Sequence, residues 1–277
     1  MEFKVSFIGT GNMGGALLHA ACRTIDPKRI HITDHQLQKA REQAEALGCC
    51  CETSNIDAVL QGNYIFLCVK PQVMGSVLEE IAPVLKSCLE QGERKVIVSI
   101  AAGLQTAYLK EKLASCGSRL QVIRVMPNTP AAIGKGMLAV AAGPEVDEEN
   151  IQAVMEILAD AGRVERLSEN LMDQFTVVSG CSPAFVYMFI EALADGGVMT
   201  GLPRSQALTY AAQTVLGAAA MVLETGRHPG ELKDAVCSPA GSTIAGVAKL
   251  EEKGFRSAAI QAVKAGYDKN VELGKVK

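Results

Sequence analysis

Two apolar patterns alternate along the first half of the chain. Short runs of β-branched and aromatic residues predict strands over 5–8, 30–33, 64–69, 95–100, 121–126 and 137–142. Between them, apolar residues that return every three or four positions predict helices over 14–24, 37–47, 73–89, 105–113 and 148–161. Strands that read apolar on both faces and alternate with helices build a parallel sheet covered on both sides. Beyond about Arg166 the strand pattern stops, and helices are predicted over 171–178, 183–200, 204–225, 230–236, 242–253 and 255–273. Several are apolar on broad faces, as over 207–221, which is more than an isolated small bundle hides; burial between subunits is expected.

The first strand, within Lys4-Val5-Ser6-Phe7-Ile8, runs into Gly9-Thr10-Gly11-Asn12-Met13-Gly14 and then a helix. In that order Gly9 permits the tight turn, Gly11 lets the backbone touch a pyrophosphate, and Gly14 lets the helix close on the strand. The second strand ends at Asp34, about 20 residues further on, where an acid accepts from a ribose 2′-hydroxyl. The expected fold is therefore α/β: a Rossmann-type doubly wound parallel sheet over 1–166 that binds NADH or NADPH, followed over 167–277 by an all-helical domain. Asp34 favours NADH because a carboxylate repels a 2′-phosphate, an effect that protonated His35 would partly offset.

Ligands in such sheets lie beyond the carboxyl ends of the strands, which makes Cys68-Val69-Lys70-Pro71, Ala101-Ala102-Gly103 and Pro127-Asn128-Thr129-Pro130 candidates. Lys70 is read as a cofactor-binding charge and not as the catalyst. Asn128 either reaches the nicotinamide or pins its own turn.

A net charge of −3 with both signs interspersed offers no field for nucleic acid or an anionic membrane. No uninterrupted apolar stretch reaches the roughly 18 residues that span a bilayer, and Met1-Glu2-Phe3-Lys4 starts a strand instead of a signal peptide. A cytoplasmic protein without nucleic-acid or membrane partners is expected. The nine cysteines, an odd number without paired C-x-x-C spacing, read as reduced thiols, with no disulfide framework and no metal site. Cys49-Cys50-Cys51 falls where a strand would follow the second helix, and reads as buried small hydrophobes.

Near the carboxyl end, Ser238-Pro239-Ala240-Gly241-Ser242-Thr243 opens directly into a helix. A helix start leaves N–H groups without partners, and Gly241 removes a side chain that would keep an anion away. This turn resembles the signature of pyrroline-5-carboxylate reductases, the last enzymes of proline synthesis, with Ala240 standing where the family has glycine. The strand-end turns match that family in place and order, and Ser179-Gly180-Cys181-Ser182-Pro183-Ala184-Phe185 is similar to a further family turn, Ser182 replacing a glycine. The match spans the whole chain.

The resemblance implies reduction of 1-pyrroline-5-carboxylate to L-proline by hydride transfer from NAD(P)H. It implies a substrate carboxylate held at Ser238, Gly241, Ser242 and Thr243, with Thr243 bonded to the ring nitrogen. It also places Asn55 near the adenosine, Glu169 near substrate, and the helical domain in a homodimer or larger homo-oligomer. Glu169 alternatively serves as a helix-start carboxylate. Two rival functions are a β-hydroxyacid or other imine oxidoreductase and a non-catalytic dinucleotide sensor. The β-hydroxyacid enzymes use a lysine on the first long helix of the second domain, and residues 183–200 contain none.

Overall fold

The computed structural model describes residues 3–275; Met1 and Glu2 of the expected amino-terminal strand start lie outside them. Eight strands form one sheet: β1 (Val5–Ile8), β2 (Ile30–Thr33), β3 (Cys50–Cys51), β4 (Tyr64–Leu67), β5 (Val96–Ser99), β6 (Gln121–Met126), β7 (Gly136–Ala142) and β8 (Gly162–Arg166). Their order is β3-β2-β1-β4-β5-β6-β7-β8. The connections reverse direction at β1, which has β2 on one side and β4 on the other, so the crevice beyond these strands is where such a sheet takes its ligand.

Helices α1 (Asn12–Thr24), α2 (Leu37–Leu47), α3 (Asn55–Gln61), α4 (Pro71–Glu90), α5 (Thr106–Lys112), α6 (Glu148–Ile157) and α7 (Met172–Phe175) accompany the sheet. Strands β1, β4 and β5 are buried at every position because two cores cover them. On one face Phe7 stacks on Phe66 at 4.8 Å beside Leu17, Leu18 and Ile151. On the other, Ile8, Ile65, Leu67 and Ile97 meet Met74, Leu78, Ile81 and Leu85 of α4. Lys95 is buried at 2% exposure because its ammonium donates to the carbonyls of Val59, Leu60 and Gly62 at the end of α3.

Four features depart from the pattern-based expectation. β7 runs antiparallel to β6, since the short segment between them holds only one 3₁₀ turn, Thr129–Ile133, and a parallel crossover needs a dozen residues or more. β8 pairs parallel with β7 although Arg163, Glu165 and Arg166 leave no apolar run to mark it as a strand. Asn55, which lies outside every predicted helix, begins α3, where Ser54 accepts the Asp57 N–H at 3.1 Å and the Ser54 and Thr53 hydroxyls hold the Asp57 carboxyl below the usual carboxylate range. Ser179, Gly180 and Cys181, expected as a turn, lie in a π-helical stretch, Thr176–Cys181.

The chain divides into two compact units. The first runs to Gly180 and takes in the chain again from Tyr267, because Met172 joins Met126, Ala139 and Ala141 in one cluster and Asn270 donates to Asp173 at 2.9 Å. The second holds α8 (Ser182–Met199), α9 (Arg204–Thr225), α10 (Pro229–Ala235), α11 (Ser242–Glu252) and the first part of α12 (Phe255–Lys275). Within it Ala194, Ala207 and Ala211 let α8 and α9 pack closely, and Phe189 meets Phe255 at 5.5 Å. Against expectation, two stretches, Glu169–Met199 and Arg204–Thr225, have the length and mean hydropathy (1.5 and 1.2) of membrane spans. Residues such as Glu191, Asp195 and Gln213 break the uninterrupted apolar runs, while the Ala, Val, Leu and Met around them keep the average high.

Candidate active site

The glycine turn is built for close backbone approach. Gly9 has φ +94°, and a Cβ there would lie 3.0 Å from the Cys68 backbone; a Cβ on Gly14 would overlap the Gly9 carbonyl oxygen. Gly11 differs, since nothing stands within 4 Å of a Cβ placed on it. Its open side faces the cleft, and α1 begins beyond it with no side-chain cap and no acid in its first turn. The amides and partial positive charge of that helix start are left for an anionic ligand. A dinucleotide pyrophosphate fits this cradle.

Asp34 anchors the turn from β2. One carboxylate oxygen accepts the Thr10 N–H at 2.7 Å; the other accepts the Gln36 N–H at 2.9 Å and stands 2.9 Å from His35 Nδ1. The side chain is 9% exposed but still lines the cleft.

That cleft has two lobes sharing Gly11, Asp34 and Lys70, one of about 760 Å³ and one of about 510 Å³. The larger reaches Asn55, whose amide donates to Glu80 Oε2 at 2.7 Å; the smaller reaches Asn12, Met13, Pro71, Ala101 and Ala102. Burial pushes the Cys68 thiol up, so Cys68 presents the cleft with a neutral, apolar surface. Sequence reasoning missed Thr53, Ser54, Val73 and Glu80 of the larger lobe. The capping pattern Ser54-x-x-Asp57 would have located the start of α3 and with it the first two.

Three expected cofactor contacts line neither lobe. Thr10 is fully buried and serves through its N–H to Asp34, and Gly103 supplies a turn at φ +72°. Asn128 is spent on the protein: its amide donates to the Ser179 carbonyl at 3.0 Å and its oxygen accepts the Met137 N–H at 2.9 Å, so it pins its turn. The Glu169 carboxylate is likewise occupied, accepting the N–H and hydroxyl of Thr106, with Arg124 at 3.6 Å. This bonding occupies both of its carboxylate oxygens within the protein. Among the described residues no cluster of three or more His, Cys, Asp or Glu is placed to hold a metal ion, and all nine cysteines are free thiols.

In the helical unit, Gly241 caps α11 without any side-chain bond, which leaves the first amides of Ser242 and Thr243 open beside two exposed hydroxyls. The N–H of Gly241 itself closes the turn on the Ser238 carbonyl at 3.1 Å, so its part is space: a Cβ there would lie 2.5 Å from Ser238 Oγ. Ala240 is the sole non-glycine at positive φ (+57°) among the described residues. The site can hold a small carboxylate by N–H and O–H donors, with no charged side chain.

A nucleotide-binding α/β unit joined to a helical unit with an anion-binding turn defines a dinucleotide-dependent oxidoreductase. Residues 4–103 match the family model described as NADP oxidoreductase coenzyme F420-dependent, and residues 169–273 match pyrroline-5-carboxylate reductase dimerisation. The chain is 42% identical to the pyrroline-5-carboxylate reductase of Escherichia coli, over 99% of this chain and 100% of that one. It is 41% identical to that of Methanosarcina acetivorans, over 98% of both. The solved Coxiella burnetii reductase superposes with a TM-score of 0.89 at 29% identity, covering 99% of each chain. The Plasmodium falciparum reductase with NADP bound gives 0.85 at 32%, again covering 99% of each. The chain belongs to the pyrroline-5-carboxylate reductase family.

The left-handed conformation of Ala240 costs a side-chain residue about 1–2 kcal/mol. Glycine would relieve this while losing about 0.4–1 kcal/mol through its freer unfolded chain. Relief wins narrowly: Ala240→Gly is expected to raise Tm by about 2 °C in a thermal melt, whereas Gly241→Ala, which collides with Ser238, is expected to lower it.

Proposed function

We propose that this chain reduces 1-pyrroline-5-carboxylate to L-proline with NADH or NADPH. The reading rests on one conjunction: an open, glycine-built pyrophosphate cradle at the start of α1 and an uncapped carboxylate cradle at the start of α11, in one chain. The whole-length similarity to reductases of that substrate supports it.

Bound NAD(P)H supplies a hydride to the imine carbon, so the protein needs neither a nucleophile nor a metal. Its work is positioning. The Ser242 and Thr243 amides, with the Ser238 hydroxyl, hold the carboxylate. The Thr243 hydroxyl bonds the ring nitrogen. A threonine hydroxyl is too weak an acid to protonate that nitrogen by itself, so the second hydrogen comes as a proton from water or on a substrate that binds as the iminium.

The cofactor preferred is NADH. Two backbone amides fix the Asp34 carboxylate at the mouth of the cleft, where a ribose diol can donate to it and a 2′-phosphate meets a negative charge. The assembly is a homodimer or larger. Only 17% and 11% of the apolar windows in Glu169–Met199 and Arg204–Thr225 are buried within one chain, and Tyr187, Met188, Met199, Leu216 and Leu223 are exposed. A second copy covers these faces, as the dimerisation match over 169–273 supports. Free thiols throughout suit the reducing cytoplasm.

Each part carries its own test. Thr243→Ala is expected to lower kcat/KM for the imine about threefold to tenfold, the worth of one hydrogen bond, with NADH affinity unchanged; unaltered turnover would remove Thr243 from the reaction. NADH should exceed NADPH in kcat/KM at one pH, and Asp34→Ala should narrow the gap; a wild-type preference for NADPH would refute the role given to Asp34. Light scattering should find a dimer or larger, and an active monomer would contradict the assembly.

A further inference from the structure

Arg124 lies in the middle of β6, between Ser99 of β5 and Ala141 of β7 in the strand register, at 2% exposure. A guanidinium buried in a sheet is expensive to desolvate unless it is paired. Its pairing is thin: Nη1 faces Glu169 Oε1 at 3.6 Å, while Nε and Nη2 have no hydrogen-bond partner. An arginine kept there on such terms has a use other than stability.

The contacts lead from it toward the cleft. Glu169, which begins the 3₁₀ turn Glu169–Leu171, accepts the Thr106 N–H at 2.8 Å with one oxygen and the Thr106 hydroxyl with the other. Thr106 is buried and is the first residue of α5. Immediately before it comes the turn in which Ala101 and Ala102 line the smaller lobe of the cleft and Gly103 takes a left-handed φ of +72°. On its other side that turn is tied by the Ala101 N–H to Ser99 Oγ at 3.3 Å. Ala101 and Leu104 pack the segment onto the core, and its cleft-facing backbone carries only small side chains. Its polar ties lie at its two ends, at Ser99 on β5 and at Thr106 at the start of α5.

We propose that Arg124, Glu169 and Thr106 form a positioning network that fixes the Ala101–Gly103 wall against the bound dinucleotide. This rests on the reading of the cleft as the NAD(P)H site. The Arg124 charge orients the Glu169 carboxylate, the carboxylate clamps both donors of Thr106, and the clamp sets the depth of the wall. Charge-assisted bonds are stronger and more directional than neutral ones, which suits them to fixing the direction of a small-residue turn that core packing alone holds loosely. Small displacements of such a wall are magnified in rate, since a misplacement of about 1 Å can cost about a hundredfold.

The test compares three variants of the full-length enzyme. Thr106→Val removes the hydroxyl but keeps shape and N–H; Thr106→Ser keeps the hydroxyl; Glu169→Gln keeps the shape but removes the charge facing Arg124. NADH dissociation constants by fluorescence titration, KM and kcat for the imine, and Tm are measured for each. The network predicts that Thr106→Val and Glu169→Gln raise the NADH dissociation constant at least fivefold and lower kcat, with Thr106→Ser near wild type. A fall in Tm with NADH affinity and kcat unchanged would leave only a structural role and overturn the proposal. So would a Glu169→Gln enzyme with a raised imine KM and unaltered NADH affinity, because Glu169 would then be touching substrate. Wild-type protein that binds neither NADH nor NADPH would overturn the cleft reading and the network with it; wild type that binds, with Thr106→Val binding equally well, would overturn the network alone.

Discussion

The bond from the Thr10 N–H to the Asp34 carboxylate is the constraint on which the nucleotide cleft depends. A turn made of glycines is entropically costly to order and has no side chains with which to fix itself. Its anchors must come from the next strand. Gly9 donates to the Thr33 carbonyl, Thr10 donates to Asp34, and the turn is thereby tied to the end of β2 before any ligand arrives. The same carboxylate lines both lobes of the cleft, so the group that sets the geometry of the turn also places a negative charge on the cleft wall. The fold of the turn and the charge of the cleft are linked through one side chain, and a substitution aimed at either alters both.

The two units bury their apolar residues by different means. In the first, strands with apolar residues on both faces are covered by helices of the same chain, and little is left exposed. In the second, the apolar content is comparable but α8 and α9 keep large residues such as Tyr187, Met188 and Leu216 at the surface. Apolar residues spread all round a helix call for cover on more than one side. One chain supplies the close alanine contact between α8 and α9, and the remaining faces call for another copy.

Much of this was legible in the sequence where burial is symmetric. β1, β4 and β5 are mostly apolar, are buried at every position and are found where their runs predict them, apart from a residue or two at the ends of β4 and β5. β8 was not legible because an edge strand carrying Arg163, Glu165 and Arg166 has the composition of a loop, and α3 was not because seven residues are too few for a helical period to declare itself. Within the site the same limit appears residue by residue. Glycines declare their purpose through spacing, so the tight turn at Gly9 and the close packing at Gly14 could be read from the chain alone. Asn128 and Glu169 could not, because an amide or carboxylate can face a ligand or a backbone, and the partners that decide it, Ser179, Met137 and Thr106, are distant in sequence.

Both anionic groups in the proposed reaction, the cofactor pyrophosphate and the substrate carboxylate, are assigned to helix starts and not to arginine or lysine clamps. The choice has a physical consequence. Backbone amides at an uncapped start carry only partial charge, bind without titrating near neutrality and need no long side chain to be ordered, so recognition costs little entropy. They also demand that nothing stand in front of them, which is why Gly11 has open space where a side chain would be and why Gly241 has no room for one. Ala240 shows how far the arrangement can be stretched. Its Cβ is accepted in a left-handed turn residue because the strain falls on that residue's own backbone, leaving the amides of Ser242 and Thr243 free for the anion.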